Sequence, residues 1–316
     1  MRIAILDGGV LNPGDVDWGP ISSLGETTIY DTTAPDQVVA RAQGQDVVIV
    51  NKVVLDSGIV SQLPDVKLVA VLATGYNNID LAALAQRGVP VCNVVAYGVQ
   101  DVAQHAMSLL LELSRNIRLH SDSVKSGEWH ETWCYWKKSP LCLAGLTLGV
   151  VGFGAIGRCM ADLGHAFGMD VIVYNRSRKN APDWQPFAFV ELPELLARSH
   201  AISLHCPLNE QSRHLFNAQA FAAMRKGAIL INTARGPLVD ETACAEALRS
   251  GQLGGLGTDV LEQEPPAADN PLFTAPNTLI TPHIAWATTR ARQNIIDLTA
   301  KNIQAWQAGQ PTNVVN

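Results

Sequence analysis

Near-continuous apolar runs alternate with amphipathic stretches along most of the chain. Ile3–Leu6, Thr27–Tyr30, Val47–Val50, Leu68–Leu72 and Val89–Cys92 read as short strands, with helix-like segments such as Ala34–Gln43 and Leu81–Arg87 between them. Strands that are apolar on both faces belong to a parallel sheet covered by helices on each side. From Val99 to about Leu119, the apolar positions Val102, Ala106, Leu109, Leu110, Leu113 and Ile117 recur at spacings of three and four. That pattern predicts one long helix, placed to bridge two domains. Glu128 to Leu143 has little periodicity yet carries Trp129, Trp133, Tyr135 and Trp136. Strand-like runs resume at Leu148–Val151, Val171–Tyr174, Ala201–His205, Ala228–Asn232, Gly255–Asp259 and Thr278–Thr281, six in all. Ala287 to about Gly309 reads as a last helix, expected to return and pack on the first unit.

At 316 residues and 47% apolar, the chain exceeds the size at which one core usually keeps growing, so two domains are expected. The net charge of -6 comes with no basic face, which argues against a nucleic-acid partner. No apolar run reaches membrane-spanning length without an internal glycine turn, and Ile3–Leu6 is too short for a signal peptide. The six cysteines show neither C-x-x-C spacing nor histidines at metal-ligand distances. They read as reduced thiols of a cytoplasmic protein, with no metal site.

Chemistry concentrates first between Thr147 and Asn175. A short apolar strand runs into Gly152-Phe153-Gly154-Ala155-Ile156-Gly157, then a helical stretch ended by Gly168, then the strand Val171–Tyr174. In such a strand-turn-helix-strand unit, Gly152 permits the tight turn. Gly154 lets backbone approach a pyrophosphate, and Gly157 lets helix and strand pack closely. The phosphates of a dinucleotide would sit on the unpaired N–H groups of the helix N-terminus. Ligands of doubly wound sheets bind beyond the carboxyl ends of the strands. Reading only those ends, Arg235, Glu264 and His283 stand out. An arginine holds a carboxylate bidentately, a histidine exchanges a proton near neutral pH, and a carboxylate beside it stabilises the imidazolium. With a nicotinamide, these are the parts for hydride transfer to a 2-oxo acid. The remaining histidines, His105 among them, read as structural.

Thr233-Ala-Arg-Gly-Pro-Leu-Val-Asp240, Asp259-Val-Leu-Glu-Gln-Glu-Pro265 and Thr281-Pro-His-Ile-Ala-Trp286 resemble the three signature segments of the D-isomer-specific 2-hydroxyacid dehydrogenases. The glycine turn and Ala73-Thr-Gly-Tyr-Asn-Asn-Ile-Asp80 match that family as well, and the resemblance covers essentially the whole chain. Within the family, the amino-terminal stretch Ile5–Asp15 and the Trp286 ending are most similar to bacterial glycerate dehydrogenases, or hydroxypyruvate (glyoxylate) reductases.

The resemblance implies an α/β fold of two doubly wound parallel-sheet domains. A flavodoxin-like substrate domain is formed by residues 1–98 with 287–316, and a Rossmann cofactor domain by residues 99–286 is inserted into it, with the active site in the cleft between them. It implies that Arg235 binds the substrate carboxylate and carbonyl, that His283 is the acid/base, and that Glu264 pairs with it. Thr74 and Gly75 present backbone N–H groups to the substrate. Ala155, Ile156, Cys206, Pro207, Thr233, Ala234 and Asp259 line the dinucleotide. The expected activity is reduction of hydroxypyruvate or glyoxylate. A D-lactate-type dehydrogenase and a dinucleotide-sensing corepressor-like protein of the same fold are the alternatives.

Two expectations concern partners. Asn175 stands where most members carry Asp, and Asn175-Arg176-Ser177-Arg178 lacks the carboxylate that repels a 2′-phosphate and offers two arginines instead. NADP(H) is therefore expected to be preferred, with NAD(H) as the poorer substitute. The Trp129–Trp136 segment, a liability if left in water, predicts a homodimer that buries it together with the helix after Val99.

Overall fold

The computed structural model describes residues 1–177 and 180–316; Arg178, one of the residues expected at the cofactor, lies outside them. The chain divides into two compact units, Met1–Gly98 with Trp286–Asn316, and Val99–Ala285. The boundary thus falls one residue before the expected one, with Trp286 in the first unit.

The first unit holds a five-stranded sheet in the order β2-β1-β3-β4-β5, formed by Arg2–Ile5 (β1), Glu26–Ile29 (β2), Val47–Val50 (β3), Leu68–Val71 (β4) and Val91–Cys92 (β5). Every pair is parallel. β3 and β4 are buried at every position, as their uninterrupted Val/Ile/Leu sequence requires when both faces are covered. The covering is visible in two clusters. One face of the sheet packs Ala4, Val48 and Val69 with Val60 and Leu84, whose short helices are capped by Asp56 and Asp80. The other packs Ile3, Ile5, Val47 and Leu68 against Ile295, Ile296, Ala300 and Ile303 of the carboxyl-terminal helix Thr289–Gln307. That helix is anchored by Arg292, which reaches Asp15 at 2.5 and 2.6 Å and holds its carboxyl below the usual carboxylate range.

The second unit holds a seven-stranded parallel sheet in the order β12-β11-β10-β9-β6-β7-β8. Its strands are Thr147–Val151 (β6), Asp170–Tyr174 (β7), Phe187–Phe189 (β8), Ala201–Leu204 (β9), Ala228–Asn232 (β10), Leu253–Thr258 (β11) and Thr278–Ile280 (β12). β8 is the strand that the periodicity missed. Its three residues are too few to show alternation, and it forms at the edge because Phe187 and Phe189 each pack on Phe153 with ring centroids 5.5 Å apart. The expected single helix from Val99 is also corrected. It runs Val99–Arg115, stops where Asn116 turns left-handed at φ 51°, and restarts as Ile117–Lys125. Asparagine is among the few residues that take this conformation cheaply, so the apolar spacing continues across a real break. From Glu128 to Leu143 there is no helix or strand, and Trp133 is 92% exposed in this single chain. Among the described residues no helix is long and apolar enough to cross a membrane.

Candidate active site

In the seven-stranded sheet the order reverses between β6 and β9, the point at which doubly wound sheets bind ligands beyond their carboxyl ends. The glycine turn lies there. Gly152 has φ +93°, and a Cβ on it would come within 2.6 Å of the Cys206 nitrogen. A Cβ on Gly157 would stand 2.0 Å from the Gly152 carbonyl oxygen, so the helix Ala155–Ala166 can start here only with glycine at that contact. Gly154 differs from both: a Cβ there would meet no protein atom within 4 Å. The space over Gly154 is therefore open to a ligand, and the helix behind it begins without a side-chain cap, its first N–H groups unpaired by any cap residue. These features fit a dinucleotide pyrophosphate.

A cavity of about 330 Å³ opens beside this turn, walled by Gly152–Gly154, Tyr174–Ser177, His205–Pro207, Asn209, Gln211 and Ser212, among others. Cys206 and Pro207 thus stand where the cofactor was expected. Burial pushes the Cys206 thiol above its ordinary range, so it contributes a neutral wall, not a thiolate. His205 donates or accepts at Ser203 Oγ (2.8 Å), and burial pushes it down to about 4, which keeps the imidazole neutral. Arg176 lines the cavity and its Nη1 lies 3.4 Å from Gln211 Oε1. No Asp or Glu is among the described wall residues. Asn175 lines this cavity too, and its side chain is hydrogen-bonded within the chain. Its Oδ1 accepts the Phe153 N–H at 2.9 Å and its Nδ2 donates to the Ser177 carbonyl. The side chain ties the glycine turn to the loop after β7, and both of its ends are engaged within the chain. Ala155 and Ile156 lie on the first helical turn, the former exposed.

The second cluster gathers at the ends of β10, β11 and β12. Asn232, the last residue of β10 and 1% exposed, accepts the Ala234 N–H at 3.0 Å and donates to the Arg235 carbonyl at 2.9 Å. It shapes the turn that carries Thr233, Ala234 and Arg235. Gly236 follows because a Cβ there would lie 1.9 Å from the Leu261 carbonyl carbon. Only glycine lets the Arg235 turn close against the loop that leads to Glu264. Arg235 Nη1 donates to the Ala234 carbonyl at 2.7 Å. Thr233 Oγ1 is buried with no hydrogen-bond partner among the described residues.

His283 Nδ1 is 2.6 Å from Glu264 Oε2, while Glu264 Oε1 accepts the Leu261 N–H at 3.0 Å. A carboxylate only accepts, so Nδ1 carries the hydrogen of this contact, and any proton exchange by the ring would fall to Nε2. His283 itself sits at φ +56°, a conformation that a non-glycine residue keeps only when its surroundings impose it. Asp259 supplies that constraint. Its carboxylate, 1% exposed, accepts Ile284 N–H at 2.9 Å, Ala285 N–H at 2.8 Å and the Thr281 hydroxyl at 2.6 Å, and its carbonyl accepts His283 N–H at 2.9 Å. Asp259 was expected to line the dinucleotide; its carboxylate holds the histidine loop. Asn232 and this work of Asp259 went unread in the sequence, although Asn232 is the polar end of an apolar strand and Asp259 directly follows β11.

Thr74 and Gly75 follow β4 in the five-stranded sheet. Thr74 Oγ1 donates to the Val94 carbonyl at 2.8 Å, and its own carbonyl accepts Asn93 Nδ2 at 2.8 Å, so that turn too is built by side chains. Among the described residues no group of three or more metal-ligating side chains is assembled.

The pattern of the D-isomer specific 2-hydroxyacid dehydrogenase NAD binding domain matches residues 107–285. A hydroxypyruvate reductase from Blautia hydrogenotrophica is 38% identical over 321 residues, spanning 100% of both chains. A glycerate dehydrogenase from Methylorubrum extorquens is 39% identical, with 90% of each chain covered. The solved D-lactate dehydrogenase of Aquifex aeolicus, complexed with NAD and lactic acid, superposes with a TM-score of 0.85 at 28% identity over 98% of this chain and 96% of that one. Sheet order, glycine turn and these likenesses agree: the chain belongs to the D-isomer-specific 2-hydroxyacid dehydrogenases, nicotinamide-dependent oxidoreductases acting on a CH–OH group.

Proposed function

We propose that this enzyme reduces a small 2-oxo acid, hydroxypyruvate or glyoxylate, to the D-2-hydroxy acid, with His283 as the proton donor. The observation that carries this reading is the 2.6 Å contact between His283 Nδ1 and Glu264 Oε2, made on the same sheet edge that bears Arg235. A bound reduced nicotinamide supplies the hydride. Arg235 holds the substrate carboxylate through its planar fork and polarises the carbonyl. Thr74 and Gly75 offer backbone N–H groups to the same carboxylate. As negative charge develops on the carbonyl oxygen, the Nε2–H of His283 passes its proton there, and Glu264 stabilises the imidazolium from which it comes. Such proton donation contributes about 10²–10⁴ in rate.

The dinucleotide is held by Gly152, Gly154, Gly157 and the helix beginning at Ala155 and Ile156, with Cys206, Pro207, Thr233 and Ala234 along its length. NADP(H) is the preferred form and NAD(H) the poorer one. Support comes from a cavity wall that bears Arg176 and Ser177 and, among its described residues, no carboxylate. Asn175 serves this preference indirectly, since its side chain fixes the Arg176–Ser177 loop and leaves no carboxylate to repel a 2′-phosphate. The working form is a cytoplasmic homodimer that covers Trp129, Trp133 and Trp136, which are 52%, 92% and 64% exposed in one chain.

Absorbance at 340 nm with hydroxypyruvate, glyoxylate and pyruvate, each with NADPH and NADH, tests the reading. Hydroxypyruvate or glyoxylate with NADPH should give the highest kcat/KM. A clear preference for pyruvate would move the enzyme to the D-lactate class, a preference for NADH would remove the role given to Arg176, and no turnover of any of the three would overturn the proposed substrate class. Sedimentation at 34 kDa alone would rule out the dimer.

A further inference from the structure

We infer that His105 is a positioning residue for the reaction, locking the His283 loop through Thr281 and Asp259. This rests on the proposed role of His283 as the acid/base.

The register between one helix and one strand brings it there. On the helix Val99–Arg115, His105, Leu109 and Leu113 form one stripe at spacings of four. On β11 and just beyond it, Gly255, Gly257 and Asp259 share one face at spacings of two. A Cβ on Gly255 would lie 3.1 Å from Leu113 Cδ2, and a Cβ on Gly257 would lie 2.9 Å from Leu109 Cβ. The two glycines therefore let the helix lie flush on the strand. Four helical residues advance about 6 Å and two strand residues about 6.6 Å. One step further along both elements, His105 is set over Asp259.

The contacts follow from that placement. His105 Nε2 is 3.0 Å from Thr281 Oγ1 and 3.7 Å from Asp259 Oδ1. Thr281 Oγ1 has one hydrogen, and it goes to Asp259 Oδ1 at 2.6 Å. The imidazole must then donate Nε2–H to the hydroxyl, which fixes its tautomer. The chain of donors runs His105 to Thr281 to Asp259, and the same carboxylate pins Ile284 and Ala285 beyond the left-handed His283. His105 is 22% exposed, while its neighbours Ala106, Leu109 and Leu110 anchor the helix in the core with Ile229 and Ile231. A change at position 105 therefore reaches the loop without removing the helix.

The test uses the full-length enzyme with its best 2-oxo acid and dinucleotide. His105→Leu should lower kcat roughly tenfold and leave the dinucleotide KM within about twofold, and His105→Gln, which restores a donor, should recover kcat to within about threefold of the parent. Thr281→Val cuts the same chain one link later, so it should reproduce the loss, and adding it to His105→Leu should cost no more. It also keeps the test available if His105→Leu does not fold. Independently of turnover, nitrogen NMR of labelled histidine should report the Nε2–H tautomer for His105. Parental kcat in His105→Leu, His105→Gln no better than His105→Leu, additive losses, or an Nδ1–H tautomer would each overturn the inference. His283→Ala separates the two ideas. If it keeps full turnover, the acid/base reading fails; if it loses turnover while His105→Leu does not, only the present inference fails.

Discussion

Replacing Glu264 by glutamine tests the proposed proton donor sharply, because both carboxylate oxygens act as acceptors. Oε2 takes the His283 Nδ1–H at 2.6 Å and Oε1 takes the Leu261 N–H at 3.0 Å. An amide has one acceptor and one donor group, so Glu264→Gln cannot serve both partners. With its carbonyl on Leu261, its NH₂ faces Nδ1, and an imidazolium there would set N–H against N–H. With the amide turned round, the same clash arises at Leu261. A hydrogen bond to a charged group is worth about 1.5–3 kcal/mol. The side chains of His283 and Glu264 are 30% and 37% exposed, and solvent screening selects the lower end of that range. A loss of about 1.5 kcal/mol corresponds to roughly tenfold in kcat for reduction. The oxidative direction should fall as well, since a neutral His283 that accepts from the amide at Nδ1 carries its hydrogen on Nε2 and cannot act as the base. Steady-state rates in both directions, with dinucleotide affinity from quenching of tryptophan fluorescence, give the readout. Affinity should stay within about twofold, because the glycine turn is untouched. Parental kcat in both directions, from a folded variant, would refute the pairing as the source of the imidazolium's stability.

Gly157→Ala forces a Cβ to within 2.0 Å of the Gly152 carbonyl, an overpacking that should cost about 1–3 kcal/mol, whereas Gly154→Ala should leave the melting temperature unchanged and weaken dinucleotide binding. Thermal melts and fluorescence titrations check the pair, and equal behaviour of the two variants would contradict the separate roles given to these glycines. Gln211→Glu would set a carboxylate close to Arg176, whose Nη1 is 3.4 Å from the present amide oxygen; the NADPH/NADH ratio of kcat/KM should fall by a factor on the order of 10, and an unmoved ratio would exclude Arg176 from 2′-phosphate recognition. His205, pushed down to about 4 by burial, takes up its proton in the unfolded chain at a higher pH than in the folded one. Stability should therefore be full above about pH 6.5 and decline as pH falls toward 4, by up to about 3 kcal/mol. Urea melts across that window should show a shallower decline in His205→Asn; the same slope in both would mean that another group governs it.

The apolar pattern alone was enough to read two parallel α/β units, because a strand buried on both faces has little freedom to carry polar residues. The glycine turn was equally legible, since Gly152 and Gly157 answer to backbone contacts that no side chain could survive. Arg235, Glu264 and His283 could be singled out because they follow strands, and the carboxyl ends of a doubly wound sheet are where ligands bind. The break at Asn116 escaped because an αL residue interrupts a helix without disturbing the spacing of its apolar side chains. β8 escaped because its pairing is decided by the packing of Phe187 and Phe189 on Phe153, far back in the chain. Beyond the pairing of Glu264 with His283, which polar groups meet could not be read from the sequence. Nothing in the sequence showed that Asn175 braces the glycine turn, that the Asp259 carboxylate holds the His283 loop, or that His105 meets Thr281. Residue type sets what a side chain can donate or accept, and periodicity sets the face on which it emerges. Its partner is chosen by how helix and strand are stacked, here by two glycines that let Leu109 and Leu113 settle on β11, and that register exists only once the unit has folded.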